Sequence, residues 1–451
     1  MGLHPDVKKF LRSRFPSNVG DGVPGAQCDV LVCDHMWLLF KFYPEDGATA
    51  EDLVDFVWRP MLRFFRAGGQ SYACVFDVPE RVPIAKAEEH KKRYGGADAA
   101  RPEKPTGSCS SSSLPLPWHA ALADRAARAD VCSYIARGIV ARFARHADEL
   151  KGKELIVSGV GGEVVRADAN GSKVWEEHAP VAEVGEGDLA VAYWVNHYAD
   201  RSVVARVLDT DQIPILMLRA KLSRRVAPLH VWLVTPNSSK SSKNSTRTED
   251  AGTGGTGPGA SDDGRDDWRH GYECVPPERH TLVDVLGLNA EMEKTTRASV
   301  EEWVFWIIAQ KTDFVDKIVQ NLGVGPTLAA LEEDARSTTT VRSMFEGSPS
   351  SRTIPRPPIV RVTASRATCD SREMSRRFVS AVASAKRKRA TVREDADVEF
   401  RRAWWTLLYW SYGWDGPLRE SLHPRPAFGF DERGMRAKAR RGDEKYPDFQ
   451  F

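Results

Sequence analysis

Residues 203–218, VVARVLDTDQIPILML, constrain what this chain can fold into more than any other stretch. A run of β-branched and apolar residues leads to Asp209-Thr210-Asp211, and a second apolar run follows at once. Nearly continuous apolar runs suit a strand buried on both faces of a parallel sheet, because crossover connections cover both faces. Ligands of such sheets bind beyond the carboxyl ends of the strands, so a D-x-D placed there meets solvent and a substrate. Two carboxylates two residues apart are costly to hold together unless a cation neutralises them.

The same context recurs along the chain. Residues 29–43, DVLVCDHMWLLFKFY, open as a strand ending at Asp34 and continue into a helix. Residues 51–66 carry apolar positions at helical spacing and stop at Gly68-Gly69. A short strand over 72–76 then ends at Asp77. This β-α-β order favours a parallel sheet with right-handed crossovers and puts Asp34 and Asp77 on one edge. Residues 84–93, IAKAEEHKKR, turn helical and basic, and 95–117 read as a Gly/Ser/Pro loop. A long helical stretch is expected over 120–150, a third strand over 154–157, and a turn at the Gly cluster 159–162. Glu186 and Asp188 open a helix running to about Tyr198; acids are favoured in a helix's first turn, which is a sufficient structural reason for either alone. A strand is expected at 230–234 and a helix over 298–309, closing on Lys311-Thr312-Asp313-Phe314.

Composition sets outer bounds. The 451 residues, 41% hydrophobic and 28% charged, suit a soluble chain with ample core. Net charge is +2, but residues 350–451 hold 22 Lys/Arg against 13 Asp/Glu, leaving −7 on residues 1–349. A basic tail beside an acidic remainder suits a polyanionic partner and equally a solvated face. The 7 cysteines are scattered without a C-x-x-C, which points to a reducing interior and away from a disulfide framework or thiolate zinc site. The basic amphipathic N-terminus is no secretory signal, and no run approaches membrane-spanning length, so an intracellular protein is expected. Residues 236–270 read as a low-complexity disordered insertion and 347–365 as a linker. The aromatic helix around Trp404, Trp405, Leu408, Tyr409 and Trp410 has a spacing that more often packs a core than stacks on bases. The basic run 386–389 suits a nuclear signal, a phosphate contact or a solvated face.

The acids at strand ends and helix starts are Asp34, Asp77, Glu186, Asp188, Asp209, Asp211 and Asp313. Each alone has an ordinary structural explanation; their repetition at the ends of apolar runs does not. Hard cations such as Mg2+ take oxygen ligands and keep waters. Two of them roughly 4 Å apart can hold the attacking and leaving oxygens of a phosphodiester.

In order and spacing these pieces resemble the flap endonuclease/XPG-like 5′-nuclease family. MGLHPDVKKFLRSRFP resembles its MGI-type opening, VLVCDHMWLLFKF its first-acid strand and YACVFDVPE its second. GEGDLAVAYWV resembles its glutamate-rich helix start, LDTDQIPIL its D-x-D strand, and VEEWVFWIIAQKTDFVDKIVQNLGVGP its last acid followed by a helix–turn–helix. The matches span most of residues 1–335, with long unmatched segments between them, as in a remote member of the kind encoded by large DNA viruses.

The resemblance implies an α/β fold: a PIN-like nuclease domain whose mainly parallel central sheet is flanked by helices. A helix–turn–helix (H2TH-like) region and an α-rich basic C-terminal extension follow. It implies a nuclease over 1–235 with an arch at about 80–135, the insertion 236–270, a DNA-binding region over 271–346, the linker 347–365 and the extension 366–451. It implies a Mg2+-dependent structure-specific 5′ nuclease, endo- or exonucleolytic, using two ions with Mn2+ as an alternative; a 5′→3′ exoribonuclease and an inactive scaffold on branched DNA are the other readings. Asp34, Asp77, Glu186 and Asp188 would serve one ion and Asp209, Asp211 and Asp313 the other. Lys86 and Arg93 would contact the scissile phosphate, with Lys91 and Lys92 beside them on DNA. Phe40 would stack on a base next to the cut. Gly323, Val324 and Gly325 would grip duplex phosphates, with a K+. Partners would be branched or 5′-flapped DNA, engaged by a monomer in the nucleus or at a cytoplasmic replication site if viral. The chain departs from the family at Val78, where Gly is usual, at Thr327, where Lys is common, and by three extra residues before Gly323. YPDFQF matches a sliding-clamp peptide poorly, which argues against that partner.

Overall fold

The computed structural model describes residues 5–22, 24, 28–41, 48–77, 107, 109–110, 113–160, 163–168, 173–176, 185–234, 280–296, 300–310, 312, 315, 402–411, 413, 422–424 and 429–430. Their strands are β1 (Val19–Asp21), β2 (Val30–Asp34), β3 (Ser71–Val75), β4 (Glu154–Val160), β5 (Glu163–Asp168), β6 (Lys173–Glu176), β7 (Val203–Val207), β8 (Leu229–Val234) and β9 (His280–Asp284). The helices are α1 (Pro5–Arg14), α2 (Met36–Lys41), α3 (Ala50–Arg66), α4 (Trp118–Ala123), α5 (Arg125–Arg145), α6 (Gly187–His197), α7 (Gln212–Leu222), α8 (Val285–Thr296), α9 (Val300–Gln310) and α10 (402–411).

The strands form one sheet in the order β1-β9-β8-β7-β2-β3-β4-β5-β6. Its centre, β8-β7-β2-β3-β4, is parallel, and both flanks are antiparallel. The central strands are apolar throughout because both their faces are covered. Val30, Val32, Ala73, Val75, Val203, Ala205 and Val207 face a core that holds α6, α7, α8, α9 and α10. The alternate residues Leu31, Cys33, Tyr72, Cys74 and Val204 face the core of α3, α4 and α5. The molecule is thus an α/β protein with helices on both sides of a largely parallel sheet.

Local signals account for the flanking helices. Thr49 and Asp52 form a capping box that starts α3, with Thr49 N donating to Asp52 Oδ2 at 2.8 Å. The chain leaves α3 through Gly68 at φ +104, the left-handed region that glycine tolerates. α5 is tied to α3 by Tyr134 Oη donating to Glu51 Oε1 at 2.6 Å and by Arg142 donating to Glu51 and Asp55 at 2.8 and 2.7 Å.

Several expectations need correction. The second apolar run after Asp211 is the helix α7, not more strand. Every residue from Gln212 to Ala220 is buried, so no polar face marks a helical period. Pro214 sits in the first turn, where its missing N–H costs nothing; a central strand would have lost a ladder bond there. The helical stretch of 120–150 begins earlier, at Trp118, and Asp124 breaks it: Asp124 leaves α4 in an extended conformation and caps α5 by accepting from Ala127 N at 2.9 Å. The strand from Glu154 runs on through Gly159 and Val160 and pairs with β5 across a register shift. The flanking antiparallel strands β1, β5, β6 and β9 and the helix α8 go beyond the expected elements. The aromatic helix α10 is core: Trp404 lies 6.0 Å from Phe305 of α9, and Arg219 of α7 donates to Ser411 O at 2.8 Å. No helix of the described residues is long and apolar enough to cross a membrane.

Candidate active site

The chain winds from β2 to β3 on one side of the sheet, while β7 lies against β2 on the other. A topological switch point therefore falls between β2 and β7, where α/β sheets open a crevice beyond their carboxyl ends. Asp34 closes β2, beside Val75 of β3, and Asp77 follows two residues later. Asp209 lies two residues past the end of β7, and Asp188 in the first turn of α6. These four carboxylates come from four separate segments and meet at this edge. Burial first, then the negative charges of Asp77, Asp188 and Asp209, hold the carboxyl of Asp34 well above the usual carboxylate range.

Each is fixed by the backbone or by a neighbour. Asp34 Oδ1 accepts from Met36 N at 2.9 Å, which also opens α2. Asp77 Oδ1 accepts from Gly187 N at 2.7 Å. A Cβ on Gly187 would stand 2.6 Å from that same oxygen, so any larger residue there would have to displace the Asp77 carboxylate. Asp188 accepts from Gln212 Nε2 at 2.9 Å through both its main-chain oxygen and Oδ1. Asp209 Oδ1 accepts from Asp211 N at 3.2 Å. Glu186 and Asp211 occupy the N-cap positions of α6 and α7, yet neither side chain makes a capping bond. Both are buried, at 2% and 4% exposure. Helix capping is therefore not what these two carboxylates do.

Neighbouring groups that could do other chemistry are held inert. His35, next to Asp34, lies on the opposite face, with Nδ1 3.1 Å from Cys33 O and Nε2 3.4 Å from Tyr72 Oη. Burial pushes its pKa down to about 3, so it stays neutral at physiological pH. Burial likewise pushes the thiols of Cys33 and Cys132 up to about 12, which removes them as nucleophiles. Arg206, fully buried on the same face, stacks over Trp232 at 4.2 Å.

The remaining candidates are placed less completely. Phe40 lies in α2, which begins two residues after Asp34. Asp313 lies outside the described residues; its neighbours Thr312 and Val315 are buried, with Val315 N donating to Thr312 Oγ1 at 3.1 Å. Lys86, Lys91, Lys92, Arg93, Gly323, Val324 and Gly325 also lie outside the described residues, as do most of 80–135 up to 112 and all of 236–270.

The donors that converge are all carboxylate oxygens, the set that hard divalent cations take. Among the described residues no group of three or more Asp, Glu, His or Cys side chains is placed so that it could hold a metal ion. Mg2+ needs only one or two direct carboxylates, keeping several waters and taking substrate phosphates for the rest. Asp34, Asp77, Asp188 and Asp209 are the described carboxylates that could take part in such a site, and Glu186 and Asp211 lie buried next to them in sequence.

Two residues that contribute to this geometry were not singled out by sequence reasoning. In the sequence Gly187 lies between two acids at a helix start, and Gln212 is one polar residue in an apolar run. A polar side chain directly after D-x-D, at a position where the whole segment is buried, was the available signal. Compared with known proteins, the sequence matches no protein-family model and no curated protein.

Proposed function

We propose that the protein is a Mg2+-dependent 5′ nuclease that hydrolyses phosphodiesters of branched or 5′-flapped DNA. The observation that carries this reading is the convergence of Asp34, Asp77, Asp188 and Asp209 from four chain segments at the sheet's switch point. Their mutual repulsion makes the cluster costly unless a cation or a proton occupies it. Bound there, two divalent ions would supply the charge that stabilises the attacking and leaving oxygens of an in-line displacement. Asp34, Asp77, Glu186 and Asp188 would hold one ion, and Asp209, Asp211 and Asp313 the other.

In this reading the described α/β sheet is a PIN-like domain, and α9 leads into a helix–turn–helix at Gly323, Val324 and Gly325 that grips duplex phosphates around a K+. Lys86 and Arg93 neutralise charge on the scissile phosphate, Lys91 and Lys92 add to the DNA contact, and Phe40 stacks on the adjoining base. The inert state of His35 and of the buried thiols supports a site whose chemistry is carried by carboxylates.

The test is cleavage of a 5′-labelled double-flap DNA with Mg2+ and with EDTA, beside a 5′-phosphorylated single-stranded RNA. Metal-dependent release of a short flap fragment is expected. Asp209→Ala should lose more than the about 10–100-fold that outer-shell changes cost, with nucleic-acid binding retained. Degradation of the RNA alone would move the substrate class to 5′→3′ exoribonuclease. Tight flap binding without cleavage of either substrate would make the chain a scaffold and overturn the proposal.

A further inference from the structure

Gln212 is wholly buried at the start of α7, directly after Asp211. Its Nε2 stands 2.9 Å from the main-chain oxygen of Asp188 and 2.9 Å from Asp188 Oδ1. Its own N–H reaches back to Asp209 O at 3.4 Å. One residue therefore ties the turn that carries Asp209 and Asp211 to the helix start that carries Glu186 and Asp188. These are the two groups of acids assigned above to the two ions.

Packing alone does not call for an amide at this place. Gln212 Oε1 is buried with no hydrogen-bond partner among the described residues, a situation that is destabilising. A methionine has the same length, fills the same space and avoids that cost. The main-chain oxygen of Asp188 lies inside α6, where the helix ladder also satisfies it. The contact that only the amide can make is the one to the Asp188 carboxylate. That carboxylate is partly buried among acidic neighbours, and the amide bond helps to fix its orientation there.

We propose that Gln212 is a positioning residue for the acid cluster. Its amide, donating to Asp188 Oδ1, helps to hold that carboxylate in the orientation in which it serves the cation. The inference rests on the metal-dependent reading of the site. It makes the residue after the D-x-D part of the metal-binding apparatus, acting through Asp188. Outer-shell partners of this kind set ligand orientation and so set metal affinity.

The experiment is calorimetric titration of Mg2+, and separately Mn2+, into the full chain as wild type, Asp209→Ala, Gln212→Met and Gln212→Asn, with a thermal melt of each. Wild type is expected to bind and Asp209→Ala to bind poorly. Gln212→Met should bind about 10–100-fold more weakly while melting at or above the wild-type temperature. Gln212→Asn, whose amide is withdrawn by one methylene, should weaken binding in the same direction. Wild-type metal affinity in Gln212→Met would overturn the inference and leave Gln212 as a staple between two helices. If Gln212→Met does not fold, wild-type affinity in Gln212→Asn overturns it equally. If the wild type binds neither ion, the metal-dependent reading itself fails and this inference falls with it.

Discussion

At the scale of single residues, the site is held by short contacts that leave little tolerance. Gly187 lets its backbone N–H reach Asp77 at 2.7 Å, and any Cβ there collides with the oxygen it holds. Gly187→Ala must therefore push Asp77 aside or tilt the start of α6. Overpacking of this kind costs about 1–3 kcal/mol, visible as a lower denaturation midpoint. The same substitution should weaken divalent-metal binding, because the displaced group is a carboxylate of the cluster. A Gly187→Ala protein with unchanged midpoint and unchanged metal affinity would mean that Asp77 is not held as described.

At the scale of elements, α3 and α5 are joined by a small polar network whose pH dependence has a definite sign. The hydrogen bond from Tyr134, then the one from Arg142, holds the carboxyl of Glu51 below the usual range. Its contribution to stability is therefore present above the ordinary glutamate value of about 4.3 and lost as pH falls through the lower folded value. The side chain is 47% exposed, so solvent screens the pair. Glu51→Gln should cost only about 0.2–1 kcal/mol at pH 7, and the difference from wild type should vanish once the carboxyl is protonated in both states. Chemical denaturation across a series of pH values from 7 downward checks both halves. A deficit that stays constant across the whole series would assign the loss to packing instead of charge.

At the scale of the whole molecule, α10 is separated from the sheet by a long stretch of sequence yet belongs to the same core. Trp405 is fully buried, stacks on Tyr409 at 4.7 Å and donates from Nε1 to Leu422 O at 2.7 Å. Arg402 donates to Gly429 O at 2.7 Å, which fixes the far end of the same unit. Trp405→Ala should cost about 3–5 kcal/mol, with the loss felt by the sheet and by α7 and α9 in a single unfolding transition. Two resolved transitions, with only the smaller one shifted, would show that α10 unfolds independently of the sheet.

The sequence by itself determined the strand cores, the acids at their ends and the helix that follows Glu186. Apolar runs, first-turn acids and the Gly68-Gly69 stop are local signals, and the backbone obeys them locally. It could not determine whether residues 212–218 are strand or helix, since a segment buried on every side has no polar period to read; Pro214 was the one local clue. Only the tertiary structure decided the strand order, and with it that Asp34 and Asp209 flank a switch point with Asp77 and Asp188 close to Asp34. It likewise decided that Gln212 reaches Asp188 and that α10 seals the core of α7 and α9. These are meetings of residues far apart in the chain. They are selected by the packing of whole elements against one another, a free energy to which no short window of sequence has access.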